Sequence, residues 1–410
     1  MNKHKLLPNI RFKGFEDEWE DTVLGKFVKV YDGVHQTPKY KNNGVPFVSV
    51  ENISNLYTNK FISKSDFDNN FKNSKPNSGD LLMTRIGDIG TVNFVKNNND
   101  LAYYVSLALL KPKTKDFKKY MNSYFLMYLI ESPRTKKELW KRTLHIAFPK
   151  KINKNEISKV NLCICSNWKE QQKIGNLFAK LDKLLGLQRQ KIDKLELLKK
   201  TLLQKLFPRH EAKIPELRYG EFEVNWITYS FSSLLIKNSS KNKNLEIENI
   251  ESISNKNGFT KQSEQFDGYR VASLDLSNYY VIKGNQFAYN PSRINVGSIA
   301  YKRKGEEDSI ISPLYVSFST KNNINDTFLW YWFKTSSFKK QRIQFSEGGV
   351  RDTLPFENLK KMQIKLPRLK EQQKIGNLLS KVDQLIELEN KKLENLQQFK
   401  KCLLQNMFVE

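Results

Sequence analysis

Few residues in this chain have the types and spacing that catalysis requires. The four histidines are His4, His35, His145 and His210. None lies in an H-x-x-x-H pair or in a serine or cysteine context typical of nucleophilic catalysis. The carboxylates Asp80, Asp88 and Asp100 fall near one another without the D…E-x-K spacing of a nuclease, so structural roles are the better interpretation.

Sequence motifs for cofactor chemistry are equally scarce. The chain has no G-x-x-x-x-G-K-[ST] phosphate loop and no Asn-Pro-Pro-aromatic tetrapeptide of the amino-methyltransferase kind. Cys163 and Cys165 lie in the alternating run VNLCIC, which is typical of a strand, and no further ligand stands at metal-site spacing. An odd number of cysteines, with no signal peptide, indicates a reducing cytoplasm. We therefore expect no catalytic residue, metal or cofactor in this chain.

The charge of the chain indicates a polyanionic partner. Its 69 Lys and Arg residues against 43 Asp and Glu give a net charge of +26. Nucleic acid is the expected partner, although a Lys-rich proteome would supply part of the excess. A membrane surface is disfavoured because no 18-residue apolar run occurs.

Basic residues interleaved with aromatic ones, on predicted loops, are the candidates for DNA contact. Lys and Arg neutralise phosphates, and Arg can also read base edges. Arg85 and Arg293 are the strongest candidates because they occupy matching glycine-bearing loops in the two halves of the chain. The full candidate set is Lys39, Tyr40, Lys41, Arg85, Arg142, His145, Tyr269, Arg270, Tyr289, Arg293, Lys302, Arg303, Lys304 and Arg351.

A duplicated helix organises the elements that carry these loops. Residues 169–207 align without a gap to residues 370–408, shifted by 201 positions, and 21 of the 39 pairs are identical. Their apolar residues recur at alternating steps of three and four, which predicts two long helices paired as a coiled coil. The pattern breaks near Gln188 and its counterpart Glu389, where we expect a shift of register.

The predicted helix-pairing residues form the same stripe in both copies. They are Ile174, Leu177, Leu181, Leu184, Leu195, Leu198, Leu202, Ile375, Leu378, Val382, Leu385, Leu396, Phe399 and Leu403. The alternative is a generic helix-bundle core, but two similar long helices 200 residues apart fit a paired rod better.

The duplication extends to the segments before the helices. Residues 7–20, around Arg11 and Trp19, match residues 214–227, around Arg218 and Trp226; each of these two segments is called a leader. The chain is therefore divided into a leader with a first recognition domain (1–167), a helix (168–208), a second leader and domain (209–368), and a second helix (369–410). The expected fold class is α+β, with two mixed globular domains joined by an antiparallel coiled coil and related by a pseudo-twofold.

The two globular domains diverge far more than the helices do. Strands are predicted at Val45–Val50, Asp80–Thr84, Thr91–Val95 and Tyr104–Leu110, with helices at 119–130 and 136–143 in the first domain. The second domain has a strand at Leu314–Phe318 and a helix at Asp326–Thr335. The two long helices, which form the scaffold, are similar, whereas the two globular domains that they carry, called the heads, are dissimilar. This difference indicates two different targets.

With these features the sequence resembles the DNA-specificity subunits of type I restriction–modification systems. The resemblance rests on the duplicated domain-plus-helix order, on KEQQKIGNL at 169–177 and 370–378, and on the loop NSGDLLMTRIGDIG at 77–90. It implies that each head reads one half of a split double-stranded DNA site and that the helices set the gap. It further implies two modification subunits that methylate adenine with S-adenosylmethionine, and restriction subunits that use ATP and magnesium.

The sequence alone leaves three other functions open. A stand-alone DNA-binding regulator would explain the charge but not the matched helices. A nuclease with an unrecognised site, or a coiled-coil scaffold whose heads bind protein, would each be exposed by a cleavage or a DNA-binding assay. The target sequence itself cannot be read from these residues, because base readout depends on side-chain placement and DNA shape.

Overall fold

The computed structural model describes residues 5–113, 121–209, 212–255, 258–262, 275–348 and 352–410. The chain divides into two compact units, one of Met1–Gln190 with Lys391–Glu410 and the other of Lys191–Asn390. Each long helix is thus shared between the units, which differs from the four successive segments expected from the sequence. The expected α+β class, with mixed heads and two long helices, is confirmed.

In the part that the structure describes, the head of the first unit has short strands and four short helices before the first long helix. Its strands are β1 (Glu20–Val23), β2 (Val28–Asp32), β3 (Val45–Val48), β4 (Phe61–Ile62), β5 (Leu81–Ile86), β6 (Asp88–Phe94), β7 (Ala102–Tyr103), β8 (Leu107–Pro112) and β9 (Asn161–Ile164). Its helices are α1 (Lys64–Asn70), α2 (Ser123–Glu131), α3 (Pro133–Lys141), α4 (Lys154–Ser158) and the long α5 (Trp168–Lys205).

The central sheet of this head is buried on both faces. It is antiparallel with the order β2-β8-β5-β6, beside a smaller sheet β4-β3-β7 and the pair β1-β9. Side chains alternate across a strand, so Leu81 and Met83 of β5 join the core that contains α2, while Leu82 joins the core under the smaller sheet. The apolar run that predicted this strand therefore serves two cores.

The second unit repeats the plan with different strand lengths and pairings. Its strands are β10 (Ile227–Ser230), β11 (Leu235–Asn238), β12 (Ile250–Ser254), β13 (Gly258–Lys261), β14 (Tyr280–Ile282), β15 (Gln286–Tyr289), β16 (Ile299–Lys302), β17 (Ser309–Ile311), β18 (Val316–Thr320) and β19 (Gln363–Leu366). Its helices are α6 (Phe231–Leu234), α7 (Asp326–Trp332), α8 (Ser336–Phe345), α9 (Phe356–Lys361) and the long α10 (Leu369–Asn406). The sheets have the orders β11-β18-β15-β16, β13-β12-β17-β14 and β10-β19.

The segment KEQQKIGNL fastens each head to the start of a long helix. In the first unit the side chain of Gln171 accepts a hydrogen bond from the backbone N–H of Asn122 at 2.8 Å. In the second unit Gln372 accepts the same bond from Asn325, also at 2.8 Å. Both asparagines cap the next short helix through their side chains. The repeated motif therefore fixes α2 on α5 and α7 on α10 in the same way.

A glycine in the same motif permits this close approach. A Cβ built on Gly175 would lie 2.8 Å from the backbone nitrogen of Phe125, closer than real Cβ atoms come. On Gly376 it would lie 3.1 Å from the backbone nitrogen of Phe328. Glycine weakens a helix interior by about 1 kcal/mol relative to alanine, and here it lets two helices touch through their backbones.

The leaders are clamped by a buried ion pair in each unit. Arg11 donates from Nε and Nη2 to Glu170 at 2.7 and 2.9 Å. Arg218 makes the same two-pronged bond to Glu371, at 2.8 Å for both nitrogens. Both glutamates are buried. Such fork-to-carboxylate bonds fix orientation as well as position.

Each leader also bonds the end of the other long helix. The backbone N–H of Ile10 donates to the carbonyl of Asn406 in α10, and that of Leu217 donates to the carbonyl of Lys205 in α5, both at 2.8 Å. The last carbonyls of a helix have no partner within the helix. In each unit, therefore, one leader joins the start of one long helix to the end of the other, which requires the two segments to be antiparallel.

The two long helices are paired in each unit by a Tyr–Asp–Lys group. The groups are Tyr128–Asp182–Lys400 in the first unit and Tyr331–Asp383–Lys199 in the second. The tyrosine hydroxyls donate to the aspartates at 2.7 and 2.8 Å, and the lysines bind the same aspartates at 2.6 and 2.5 Å. In both groups the aspartate and the lysine come from different long helices.

A continuous line of buried or half-buried side chains runs along each long helix in alternating steps of four and three. In α5 and its end these positions are Ile174, Phe178, Leu181, Leu185, Gln188, Ile192, Leu195, Lys199, Leu202 and Leu206. In α10 they are Ile375, Leu379, Val382, Ile386, Glu389, Leu393, Leu396, Lys400, Leu403 and Met407. This is the seven-residue repeat of a coiled coil.

The line corrects two expectations from the sequence. Four of the predicted pairing residues, Leu184, Leu198, Leu385 and Phe399, are 46–52% exposed. Adjacent residues such as Phe178 and Leu185 are buried instead. The sequence misled here because apolar residues stand on two neighbouring lines of the helix, and only one of these lines is buried. The expected shift of register at Gln188 is also wrong. The steps continue through that position, and in the second unit the buried Glu389 is paired with Lys191 at 2.9 Å.

Candidate nucleic-acid interface

The loop after β2 carries three predicted contact residues on the surface. Lys39, Tyr40 and Lys41 are all exposed. The ring of Tyr40 is held against Phe47, with centroids 5.9 Å apart, and Lys60 Nζ lies 5.8 Å from its centroid. Residues 33–39 line an open groove of about 870 Å³. This loop therefore presents two exposed cations beside a braced aromatic ring.

Arg85 is a correction to the sequence analysis. It lies in strand β5 rather than in a loop, and it is 6% exposed. Its Nε donates to the carbonyl of Ile152 at 3.0 Å, and its Nη1 forms an ion pair with Asp32. Because Arg85 is buried and bound to these partners inside the head, it is not on the exposed loop that the sequence predicted.

Two further candidates in the second unit are also buried. The hydroxyl of Tyr289 donates to the carbonyl of Leu354 at 2.9 Å, and burial raises the pKa of that hydroxyl. Lys302 Nζ binds Glu251 at 2.6 Å and Ser309 Oγ at 2.8 Å. Burying a cation is costly unless it is paired, and the carboxylate of Glu251 provides that pairing. Both residues lie on strands that the sequence analysis interpreted as loops.

The remaining described candidates of the second unit are accessible. Arg293 is exposed at the start of the short turn Ile294–Val296, which ends at Gly297 with φ of +91°. Arg303 and Lys304 are exposed on the turn after β16. The predicted residues Tyr269, Arg270 and Arg351 lie outside the described residues.

The segment between α3 and α4 in the first head contains the last two candidates and a hairpin closed by Leu144 and Lys151. Arg142 is half-buried and binds Glu156 at 3.3 Å. His145 is exposed, with its Nε2 3.0 Å from the carbonyl of Trp140 and its ring 4.5 Å from the indole. His145 faces solvent, whereas the charge of Arg142 is neutralised by a carboxylate.

The same hairpin holds exposed residues that the sequence analysis did not single out. Ile146, Phe148, Lys150 and Lys151 are all exposed. The signal in the sequence was the run HIAFPKK, in which apolar residues stand between cations without helical or strand periodicity. Hydrophobic residues outside a periodic pattern have no core to enter, so they are candidates for binding.

In the part of the chain that the structure describes, ionisable side chains form ion pairs such as Arg85–Asp32 and Lys302–Glu251. No group of three or more His, Cys, Asp or Glu residues is gathered to hold a metal among these residues. Burial raises the pKa of the Cys163 thiol to about 12, so this thiol stays protonated at neutral pH. None of the described helices combines the length and the apolar character needed to cross a membrane.

The geometry defines a class of protein: two units, each with a mixed head docked by the same residues on paired long helices, with dissimilar exposed basic loops. Comparison with known proteins agrees with this class. The family model for the type I restriction modification DNA specificity domain matches residues 16–197 and 254–398. The chain therefore belongs to that family.

Individual relatives are distant in sequence but similar over their whole length. Two specificity subunits from Methanocaldococcus jannaschii, of the putative MjaX and the MjaVIII type I restriction enzymes, are each 22% identical. The alignments cover 95% of this chain and 92% and 91% of those relatives. The crystal structure of the type I restriction-modification S subunit from M. genitalium matches with a TM-score of 0.64, 13% identity and coverage of 98% and 99% of the two chains.

Proposed function

We propose that this chain is the sequence-specific, double-stranded DNA-binding subunit of a type I restriction–modification complex. Each head reads one half of a bipartite site. The family membership, the net charge of +26 and the exposed cations Lys39, Lys41 and Arg293 support this. The observation that carries the proposal is that the docking of the heads is repeated residue for residue, while their exposed loops differ.

We assign the reaction chemistry to partner subunits in the cytoplasm. Two modification subunits would use S-adenosylmethionine, and restriction subunits would use ATP and magnesium. The relatives are named as specificity subunits. A second structural match, with a TM-score of 0.52, comes from work on complex assembly and conformational transition of the type I R-M system. Both support a non-catalytic chain that acts within an assembly.

Exposed leucines on the long helices are the proposed binding surface for the modification subunits. Leu184 and Leu187 in the first unit, and Leu385 and Leu388 in the second, are 46–52% exposed and lie off the coiled-coil line. Apolar side chains at matched places in both units fit two copies of one partner. Replacing Leu184 and Leu187 with serine should remove one modification subunit per chain, measured as the mass of the purified complex. Retention of both subunits would contradict the assignment.

The paired helices are proposed to set the gap between the half-sites. Because the line of inner positions repeats every seven residues, deleting 190–196 and the equivalent 391–397 preserves its phase and keeps the four exposed leucines. Seven helical residues span about 10.5 Å, which corresponds to about three base pairs of duplex at 3.4 Å each. We expect the recognised gap to shorten by about that amount, with both half-sequences unchanged.

Genome-wide mapping of methyladenine, in cells that carry the chain with its partner subunits, tests both parts of the proposal. A shortened gap between unchanged half-sequences supports the spacer role. The matched control replaces the exposed residues Lys194 and Glu394 with alanine and deletes nothing, and it should leave the gap unaltered. Sites that keep their original gap after the deletion would contradict the spacer role, and methylation without sequence preference would contradict the DNA-reading role.

A further inference from the structure

The hairpin Leu144–Lys151 of the first head holds two apolar side chains in solvent. Ile146 and Phe148 are 99% and 102% exposed, so almost nothing in the chain covers either of them. Covering a side chain of this size is favourable relative to leaving it in water. Two such residues at one tip favour a ligand that covers them.

The hairpin is braced by hydrogen bonds at its base. The backbone N–H of Leu144 donates to the carbonyl of Lys151 at 2.8 Å, which closes the hairpin. The N–H of Gly87, in the turn between β5 and β6, donates to the carbonyl of Lys150 at 2.8 Å. Gly87 has a φ of +79°, which glycine adopts without strain. These bonds join the hairpin to the central sheet of the head.

An aromatic platform supports the same hairpin from α3. The ring of Trp140 meets His145 edge-on at 4.5 Å, and Lys150 Nζ lies 4.4 Å from the centroid of the indole. A cation over the face of an indole ring is attracted to it, so this contact helps to hold Lys150 in place. These contacts fix the base of the hairpin on the head. Ile146 and Phe148, at its tip, lie beyond them in solvent.

The charge around the tip identifies the class of ligand. Lys150 and Lys151 are exposed, and neither is paired with a carboxylate among the residues that the structure describes. Nearby Lys141 and Arg142 are neutralised by Glu138 and Glu156. Two free cations beside an apolar tip fit a ligand with phosphates outside and an apolar interior. Duplex DNA has this arrangement.

We propose that Phe148, together with Ile146, is a wedge that enters between two base pairs of bound duplex DNA and unstacks them. Lys150 and Lys151 bind the phosphates beside the opened step. Side chains of this type open base steps and bend the duplex in other DNA-binding proteins. This proposal rests on the proposed DNA-binding function. It adds a deformation of the DNA whose energetic cost depends on how stiff the bound base sequence is, so the deformation contributes to sequence preference.

The wedge is expected in one half-site only. At the equivalent place in the second head Glu347 pairs with Thr353, and the sequence EGGVRDT from 347 to 353 contains no aromatic residue. The two half-sites would therefore differ in deformation as well as in base contacts.

The test measures unwinding of DNA by the full-length chain. A closed circular plasmid is relaxed by topoisomerase I in the presence of the chain, and the change in linking number is read after removing the protein. Filter retention of the same plasmid gives the affinity. We expect Ile146→Ala with Phe148→Ala to lose the unwinding, while retention weakens by about tenfold or less because the saved unstacking energy offsets the lost contact. Phe148→Leu should keep most of the unwinding.

A matched control separates the tip from exposed apolar residues in general. Tyr57→Ala removes an exposed aromatic ring of the same head, outside the hairpin, and should unwind as the original chain does. Equal unwinding by the Ile146→Ala, Phe148→Ala variant would overturn the wedge, and so would a loss of modification subunits from that variant with unwinding intact. If the original chain retains no plasmid at all, the proposed DNA-binding function fails with it.

Discussion

The buried clamp of the leader is the same bond in both units, but its surroundings differ. Glu371 in the second unit accepts from Arg218 and also from the indole nitrogen of Trp226 at 3.3 Å. In the first unit Glu170 accepts from Arg11, while the buried indole nitrogen of Trp19 has no partner among the described residues. The scaffold therefore tolerates small differences in its polar partners while keeping one geometry.

The heads differ much more than the clamps. The first head has a braced hairpin with exposed Ile146 and Phe148, whereas the sequence EGGVRDT at that place in the second head has no aromatic residue. Arg85 and Lys302 both form buried ion pairs, but with partners on different strands. The residues that dock the heads make the same contacts in both units, which constrains their types. Exposed loops with dissimilar targets have no such constraint and can diverge.

Breaking the clamp should produce the largest effect and should separate the two units. Arg11→Met leaves Glu170 buried without its cation, and losing one partner of a buried pair costs about 3–5 kcal/mol. Arg218→Met should cost less because Trp226 still donates to Glu371. Amide hydrogen exchange at the start of α5 and α10 measures each local opening free energy. Arg209→Met, which removes an exposed pair with Glu216, should cost less than about 1 kcal/mol. Equal losses for Arg11 and Arg218 would contradict the comparison.

The two motif glycines should show the next largest difference. Gly175→Ala puts a Cβ 2.8 Å from a backbone nitrogen that cannot easily move, so we expect a loss of about 1–3 kcal/mol. Gly376→Ala meets its nearest atom at 3.1 Å and should lose less. Gly186→Ala, where nothing lies within 4 Å, should instead gain up to about 1 kcal/mol from helix propensity. Urea unfolding of the full chain orders the three variants, and a stabilised Gly175→Ala would show that α2 does not rest on this glycine.

The Tyr–Asp–Lys groups should respond alike in both units. Tyr128→Phe and Tyr331→Phe each remove one hydrogen bond to an aspartate that keeps its lysine. We expect a loss of about 1 kcal/mol for each, measured by hydrogen exchange in α2 and α7. A difference above about 1 kcal/mol between the two would mean that the groups are not equivalent.

The half-buried carboxyl group of Glu131 should give the smallest effect, confined to the first unit. Burial raises the pKa of Glu131, and the charge of Lys400 opposes that shift. The folded state therefore disfavours the ionised form, so stability falls as the pH rises from below the ordinary pKa through the raised one. Glu131→Gln should be slightly more stable than the original chain at pH 7 and equal to it near pH 4. Thermal unfolding at both pH values measures this, and an advantage that is larger at pH 4 would contradict the sign.

Much of the fold was predictable because it repeats. The gapless repeat and the leader match predicted both long helices and the α+β class, and most strands of the first head lie within a few residues of their predicted positions. The sequence did not predict that Arg85 and Tyr289 lie in strands, because nearby glycines indicated loops. Their burial depends on partners more than 50 residues away in the chain, Asp32 and Leu354, which local patterns do not reveal.

The sequence by itself determined the duplication, the two long helices, the cationic surface and the divergence of the heads, because these follow from periodicity, charge and self-comparison. Only the tertiary structure decided which phase of the leucine pattern faces inward, because both phases are apolar and only one of them is buried by packing. It also decided which cations are free. A basic side chain is available for DNA only when no carboxylate folds against it, and that depends on long-range contacts rather than on the residue type.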